Sequence, residues 1–292
     1  MQAIKIEALT HIYSKKTPSE KVALDNINLV VEEGEFVAIV GHTGSGKSTL
    51  VQHFNGLIKP HKKGKNGRVE IYGRATTEKK GLKQLRFDVG MVFQYPEYQL
   101  FEDTVAKDIA FGPKNMKLDK DEIDRRVRKS LELVGLPYDE FAERSPFELS
   151  GGEKRRVAIA GVIAMEPKIL VLDEPFAGLD PEGVREITAL ILKLKSEICP
   201  TIITVTHDMD SASTLADRII ALREGKIVAD GTPKEVFGDR ALIKGIGLDV
   251  PFVARIVDKL EERGIILNKN IVTIEELTTE LERIRTGGGD NV

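Results

Sequence analysis

The chain has 292 residues, enough for one large domain or for a domain with an appendage. Hydrophobic residues make up 41% of it and charged residues 30%, the composition of an ordinary globular protein, and a net charge of −3 gives no reason to expect general affinity for nucleic acid. With a single cysteine, Cys199, no visible secretory signal and no apolar run of about twenty residues, we expect a cytoplasmic protein that reaches a membrane only through a partner.

Two stretches near the N-terminus, residues 3–9 and 22–31, alternate partly between apolar and polar residues. This period predicts half-buried antiparallel strands. The polar loop that we expect between them carries one aromatic residue, Tyr13. On position alone, Tyr13 either packs locally, the commoner role, or offers its ring to an adenine.

A glycine-rich turn follows the apolar run 36–40 and has the spacing G-x-x-x-x-G-K-S. Its glycines let backbone N–H groups converge on a polyphosphate, and the helix that follows directs the positive end of its dipole at the same anion. Lys47 would place a charge near the outer phosphates, and the Ser48 hydroxyl would bind Mg²⁺. A turn without chemical use is disfavoured because motif, order and flanking pattern agree. We therefore predict a phosphate site made of Gly41, His42, Thr43, Gly44, Ser45, Gly46, Lys47, Ser48 and Thr49.

Residues 59–68 are basic and rich in turn-forming residues. They could bind an anion or a lipid headgroup, or simply connect two strands through solvent. The solvated connection is favoured because no aromatic residues interleave with the charges.

A short apolar strand is predicted at residues 89–93, and Gln94 follows it. The next residues crowd aromatic side chains into a probable loop: Tyr95, Tyr98 and Phe101. Such crowding fits local packing and a partner-docking surface equally.

The pattern becomes helical and charged from residue 105 to about 136, and another helix begins after Leu149. Ser150 and Glu153 form a predicted capping box at its start. Capping does not explain Gly151 and Gly152, because each glycine costs a helix about 1 kcal/mol relative to alanine. A helix start without side chains indicates a second phosphate-facing surface.

The apolar run 169–172 predicts a buried parallel strand that ends in Asp173 and Glu174. Open α/β sheets bind their ligands at this end. Next to a phosphate loop, Asp173 would hold Mg²⁺, directly or through water, and Glu174 would polarise the attacking water. The strand predicted at 202–206 ends at His207, and that position favours a contact with the transferring phosphate over a purely structural role.

Beyond residue 238 no catalytic motif is visible, and residues 253–263 and 274–285 predict amphipathic helices before a glycine-rich tail. We therefore divide the chain into a nucleotide-binding domain, residues 1–238, and a C-terminal interaction appendage, residues 239–292.

From residue 4 to residue 237 the chain resembles the ATP-binding-cassette (ABC) ATPases, whose motifs stand here in the family's order: Gly41 to Thr49, Gln94, Leu149 to Gly152, Asp173-Glu174, Gly178-Leu179-Asp180 and His207. The resemblance implies an α/β P-loop NTPase fold with a mixed sheet, an antiparallel edge subdomain and a helical subdomain at about 95–165. It implies ATP and Mg²⁺ as ligands. It also implies that two subunits pack head to tail, so that Ser150, Gly151 and Gly152 of each complete the other's nucleotide site.

The same resemblance implies a role for each motif residue. Tyr13 would stack on adenine, Asp180 would lie in the dimer seam, and His207 would contact the γ-phosphate. The catalytic set is Glu174, His207, Lys47 and Gln94, and the Mg²⁺ ligands are Ser48, Gln94 and Asp173.

Residues 41–44, 93–101, 108–113 and the region after residue 238 are more narrowly similar to the energy-coupling factor (ECF) transporter ATPases, most of all to the second ATPase of the pair. This implies uptake of a vitamin or a transition-metal ion at the cytoplasmic face of the cell membrane, with a transmembrane T component and a substrate-binding S component as partners. Residues 95–101 would border the groove for a coupling helix of the membrane partner. Whether the ATPase dimer is homo- or heteromeric stays open.

Two positions depart from the family pattern. Glu153 stands where glutamine is usual, and Phe176 stands where threonine or serine is usual. Neither change removes a residue that hydrolysis needs, but with either change the sequence does not predict the rate of ATP hydrolysis.

Two other functions would require features that can be checked in the sequence. A cassette ATPase that acts on DNA or chromosome structure should carry a long coiled coil or a zinc module between Lys47 and Ser150, and neither heptads nor a CxxC pair is there. A nucleotide sensor without turnover would not need Glu174 and His207.

Overall fold

A computed structural model describes residues 1–60 and 67–287. Most of the basic stretch 59–68 and the end of the glycine-rich tail, from residue 288, lie outside the described residues. The strands are β1 (Gln2–Tyr13), β2 (Lys21–Glu32), β3 (Phe36–Val40), β4 (Arg68–Ile71), β5 (Arg74–Ala75), β6 (Val89–Val92), β7 (Ile169–Asp173), β8 (Thr201–Thr206), β9 (Arg218–Arg223) and β10 (Lys226–Gly231).

Helices form most of the middle of the chain and every described element after β10. They are α1 (Lys47–Phe54), α2 (Leu82–Asp88), α3 (Val105–Met116), α4 (Lys120–Leu133), α5 (Tyr138–Phe141), α6 (Gly151–Ile163), α7 (Pro181–Glu197), α8 (Met209–Leu215), α9 (Pro233–Gly238), α10 (Arg240–Gly245), α11 (Phe252–Glu262) and α12 (Ile274–Gly287). No helix within the described ranges is long and apolar enough to cross a membrane.

The larger sheet has the strand order β10-β9-β3-β8-β7-β6. Its strands from β9 to β6 run parallel, and β10 pairs antiparallel with β9. Both faces are buried, which explains why β3 is apolar throughout and why β7 is apolar up to its last residue, Asp173. In β3, Phe36, Ala38 and Val40 contribute to the core shared with the helices, whereas Val37 and Ile39 contribute to the core shared with the smaller sheet.

The smaller sheet has the order β2-β1-β4-β5, and the pairs between β1 and both neighbours are antiparallel. The two antiparallel strands predicted at the N-terminus are therefore confirmed. The placement of Tyr13 in a loop was wrong: it is the last residue of β1, because its pairing with Lys21 continues the ladder to the turn.

The helices predicted between residues 105 and 165 are present as α3 to α6, and α6 packs against α3 and α4. Their apolar faces join one continuous core with the central strands. The capping box predicted at the start of α6 is confirmed, with Ser150 as N-cap and Glu153 as its partner.

The C-terminal helices α11 and α12 bury a small core of their own, formed by Val253, Val257, Leu267, Ile271 and Leu277. The segment is also tied to the rest of the chain, since the Phe252 N–H donates to the Asp210 carboxylate at 2.6 Å. The domain boundary at residue 238 stays a prediction.

Candidate nucleotide-binding site

Four parallel strands deliver the site residues to one edge of the larger sheet. Strand β3 leads into the glycine-rich loop, β6 leads to Gln94, β7 ends at Asp173 and β8 leads to His207. The carboxyl ends of parallel strands are the usual ligand-binding edge of an α/β sheet. The cleft there has a volume of about 370 Å³ and is lined by Tyr13, Lys21, Ala23, Thr43, Gly44, Gly46, Lys47, Ser48, Thr49, Gln94, Glu174 and His207.

Lys47 is buried beneath the glycine-rich loop. Its Nζ donates to the Gly41 carbonyl at 2.6 Å and to the His42 carbonyl at 3.1 Å, so the loop curls around the ammonium group. Burial lowers the pKa of Lys47, and the negative charges of Glu174 and Asp173 act in the opposite direction. A cation so poorly hydrated is suited to bind an anion that enters the cleft.

The glycine at position 46 is required by both conformation and space. Its φ is +109°, a value that residues with a side chain rarely adopt. A Cβ atom there would lie 2.4 Å from the carbonyl oxygen of Ala23 in β2. Gly46 therefore lets the loop pass against β2 and start α1 with its N-terminus open to the cleft.

Ser48 and Asp173 bring two side-chain oxygen atoms together beside the cleft. The Ser48 hydroxyl donates to Asp173 Oδ1 at 3.5 Å. Burial raises the pKa of Asp173, and the hydrogen bond from Ser48 opposes this rise. Among the described residues no group of three or more His, Cys, Asp or Glu side chains could hold a metal by itself. The oxygen pair fits Mg²⁺, which usually takes one or two protein ligands and completes its shell with water and phosphate.

Glu174 and His207 face each other at the edge of the cleft, where Glu174 Oε2 lies 2.8 Å from His207 Nδ1. The Glu174 side chain is mostly buried, whereas that of His207 is 71% exposed. Glu174 also has a left-handed backbone, with φ +51°, and its N–H donates to the Val205 carbonyl at 2.8 Å. Such backbone strain is common at functional sites, and here it directs the carboxylate to the cleft.

Tyr13 lies at the outer end of the cleft. Its hydroxyl is 3.2 Å from the Thr49 hydroxyl, and 40% of the residue is exposed. This location allows the predicted stacking on adenine, which stays a prediction. Lys21, the strand partner of Tyr13, also lines the cleft and was not predicted, since only the β1–β2 register reveals it.

The second glycine pair does not line the cleft. Gly151 and Gly152 are exposed at the start of α6, and an added Cβ on either would meet nothing within 4 Å. Glu153 is turned back on its own helix, where it accepts from the Ser150 N–H at 2.7 Å. Hydrogen bonds with Ser150 lower the pKa of Glu153. Within one subunit this helix start is therefore separate from the cleft at Lys47.

A larger apolar groove, about 760 Å³, lies between α2, α3 and α6. Phe101 and Phe111 form part of its wall and stack edge to face, with ring centroids 5.0 Å apart. Of the aromatic loop, residues 99–101 line the groove, whereas Tyr95 and Tyr98 do not. Tyr98 is 84% exposed.

Comparison with known proteins decides the family. Residues 24–177 match the family model described as ABC transporter. The chain is also 50% identical over 283 residues to the energy-coupling factor transporter ATP-binding protein EcfA2 of Clostridium tetani, with 97% of each chain covered. The chain belongs to the energy-coupling factor transporter ATP-binding proteins. The predicted family, fold and activity are thereby confirmed: this is an ATPase of the ABC type that serves an ECF transporter.

Solved structures of ABC ATPases agree with this assignment. The structure of cbiO1 from Clostridium perfringens, described as part of the ABC transporter complex cbiONQ, has a TM-score of 0.73 and 41% identity, covering 88% of this chain and 99% of that one. A dimeric structure of the ATP-binding cassette MJ0796 with ADP and Pi has a TM-score of 0.68 and 33% identity, covering 79% and 98%. The roles of individual site residues stay predictions.

The two departures from the ABC pattern have local structural explanations. Glu153 serves the cap of α6, and its carboxylate is directed at the Ser150 backbone. Phe176 is buried, 8% exposed, in the core beside the turn that carries Glu174. Neither side chain lines the cleft at Lys47 in this ECF ATPase.

Proposed function

We propose that this ATPase binds ATP with Mg²⁺ in the cleft at Lys47 and hydrolyses it to ADP and phosphate to power uptake of a vitamin or a transition-metal ion. The observation that carries the proposal is the Glu174–His207 pair, 2.8 Å apart at the cleft edge and supplied by two neighbouring strand ends. A carboxylate and an imidazole at this edge would be within reach of the outermost phosphate of a nucleotide held at Lys47, which supports the proposal.

Each group then has a defined task. Glu174 accepts a hydrogen bond from water and aligns it for in-line attack, and His207 donates to the phosphate that is transferred. Lys47 and the N-terminus of α1 stabilise the charge on the phosphate oxygens. Mg²⁺, held by Ser48, Asp173 and Gln94, would neutralise further phosphate charge. Most of the acceleration comes from positioning and charge stabilisation.

A second ATPase subunit, identical or related, completes each site. The exposed backbone at Gly151 and Gly152 has open space around it, as a surface that receives phosphate from another subunit should. Asp180, whose carboxylate caps α7 by accepting from the Gly183 N–H at 2.7 Å, would lie in the seam. The dimeric structure of the relative MJ0796 supports this arrangement.

Membrane partners supply the transport path. The apolar groove between α2, α3 and α6 suits a helix of a transmembrane T component, which would hold the ATPase at the cytoplasmic face of the membrane, and an S component would select the solute. The relative cbiO1 belongs to a transporter complex, which supports the membrane association. No nucleic acid is expected as a partner.

Phosphate release by the full-length chain, alone and in the complex that co-purifies with it, tests the proposal. Glu174→Gln should retain ATP binding and lose hydrolysis, because the amide cannot polarise the water. The matched control is Glu197→Gln, an exposed glutamate at the far end of α7, which should leave both unchanged. Nearly unchanged turnover in Glu174→Gln would contradict the assignment, and strong stimulation by DNA would favour the rejected alternative. Mass spectrometry of small molecules in the complex would identify the solute.

A further inference from the structure

One buried arginine joins three segments that meet behind the ATP cleft. Arg155, the fifth residue of α6, is 5% exposed. Its Nη1 donates to the Pro175 carbonyl at 3.2 Å and its Nη2 donates to the Ala177 carbonyl at 3.0 Å. Its Nε lies 3.6 Å from Glu97 Oε2. The guanidinium therefore contacts the turn after Glu174 and the turn after Gln94 together.

The first of these turns determines where the Glu174 carboxylate lies. Pro175 and Ala177 are one and three residues after Glu174, and the turn is closed by a hydrogen bond of 3.2 Å from the Ala177 N–H to the Glu174 carbonyl. Because Glu174 has the unfavourable φ of +51°, surrounding contacts must hold it in place. The two donors of Arg155 are such contacts, and a planar guanidinium fixes two acceptors in a defined geometry.

The second turn lies between the cleft and the apolar groove. Glu97 belongs to the 3-10 turn Pro96–Gln99, which begins two residues after Gln94 and includes Gln99 in the groove wall. An occupant of the groove would therefore touch the turn that carries Glu97. Arg155 extends from the other side, from the helix that starts at Ser150.

Arg155 and Glu97 are close enough for charge attraction but do not form a hydrogen bond. Glu97 Oε2 is buried and has no hydrogen-bond partner within 3.5 Å, although the Arg155 charge is near. A cavity of about 10 Å³, close to the size of one water molecule, lies beside Pro96, Arg155 and Pro175. A shift of about 0.7 Å would bring the two atoms to an ordinary charged hydrogen-bond distance. The structure thus has an unmade hydrogen bond between Glu97 and Arg155, and a small cavity beside Arg155 and Pro96.

We propose that Arg155 is a positioning residue that couples the groove to hydrolysis, an inference that rests on the proposed function. When the groove is filled, the turn 96–99 moves, Glu97 closes on Arg155, and the guanidinium adjusts the carbonyls that place Glu174. Arg155 does not touch the nucleotide and acts only through Glu174.

Arg155→Met tests the link, with Arg156→Met as the matched control. Arg156 is the next residue of α6, and it also binds a carbonyl, that of Val134, and a carboxylate, that of Glu186. These partners lie at the end of α4 and in α7, not in the turns that carry Glu97 and Glu174. In Arg155→Met we expect kcat to fall by about ten- to a hundredfold with KM for ATP within about twofold, as for a misplaced catalytic group. Arg155→Lys should recover part of kcat, and Arg156→Met should keep kcat and KM.

Amide hydrogen exchange gives a readout that does not depend on turnover. The N–H groups of Glu174, Ala177 and Leu179 are hydrogen-bonded within or next to the turn. They should exchange at least about fivefold faster in Arg155→Met than in wild type or Arg156→Met. Glu97→Gln should also reduce the stimulation of phosphate release by the membrane partners. This stimulation is the ratio of phosphate release by the purified membrane complex to phosphate release by the ATPase alone.

The results of these experiments distinguish the proposed function from the positioning role of Arg155. A wild-type complex that releases no phosphate, or a Glu174→Gln variant that still does, removes the proposed function. If the wild type is active and Arg155→Met keeps its kcat and its exchange rates at the turn, the positioning role is wrong and the proposed function stands. Equal losses in Arg155→Met and Arg156→Met would show that Arg155 only stabilises α6.

Discussion

Replacing Gly152 by alanine should change stability and activity in opposite directions. Gly152 is the second residue of α6, has open space around its Cβ position and no strained φ. Alanine is favoured over glycine in a helix by up to about 1 kcal/mol, so a gain of about 0.5–1 kcal/mol is expected for this first-turn site. For a chain of this size, that gain should raise Tm by about 1–4 °C.

The activity should fall because the methyl group projects from the surface proposed to receive the partner's phosphate. Charged hydrogen bonds from backbone N–H groups need distances of about 2.7–2.9 Å, which leave no room for a methyl group. We expect at least a tenfold loss of kcat, equivalent to about 1.4 kcal/mol of transition-state stabilisation.

Thermal unfolding without nucleotide and phosphate release with saturating ATP measure the two effects. Gly245→Ala is the matched control, since Gly245 is also helical and open, at the end of α10. It should keep kcat. Wild-type turnover in Gly152→Ala would refute the idea that this helix start faces a phosphate, and a lower Tm would refute the local stability argument.

Three further predictions concern the loop, the cysteine and the metal. Gly46→Ala should destabilise the chain by about 2–4 kcal/mol and abolish ATP binding, because backbone strain adds to the clash with the Ala23 carbonyl. The control is Gly34→Ala, since Gly34 has φ +90° and open space around it. It should show the backbone strain alone, about 1–2 kcal/mol in thermal unfolding. Burial raises the pKa of Cys199 to about 12 from 9.0, so its contribution to stability is present below pH 9 and lost as pH rises toward 12. Denaturation of wild type and Cys199→Ala across that range should diverge, and parallel curves would contradict the shift. Asp173→Asn should raise the Tm of the nucleotide-free chain, because it removes a buried charge. It should also lower Mg²⁺-dependent phosphate release at least tenfold. A variant as active as wild type would exclude Asp173 as a Mg²⁺ ligand.

Much of the candidate site could be predicted because its residues occur in short motifs. The phosphate loop, the Asp173-Glu174 pair and the capping box at Ser150 each depend on neighbours within a few positions. Tyr13 was misplaced in a loop, and Lys21 was missed, because the end of each strand depends on how far the other strand pairs with it. Residue spacing within either strand does not contain that information.

The lining of the apolar groove between α2, α3 and α6 also could not be predicted from residue spacing. Aromatic crowding after Gln94 fitted local packing and a docking surface equally, and the family resemblance favoured docking. Only residues 99–101 of that loop line the groove, and Phe111 of α3 supplies a second ring beside Phe101. Which aromatic side chains turn inward depends on how α2, α3 and α6 pack, and composition does not predict that packing.

The sequence by itself determined the chemistry of this ATPase: the glycines that allow a left-handed backbone, the lysine and hydroxyl that follow them, and the acids at a strand end. These are local requirements, and local spacing expresses them. Only the tertiary structure decided that the Glu174 turn, the Glu97 turn and the signature helix meet at the Arg155 guanidinium, across separations of 20 to 58 residues. Contacts of that kind arise from burying a charge among distant segments, and each segment alone gives no sign of them.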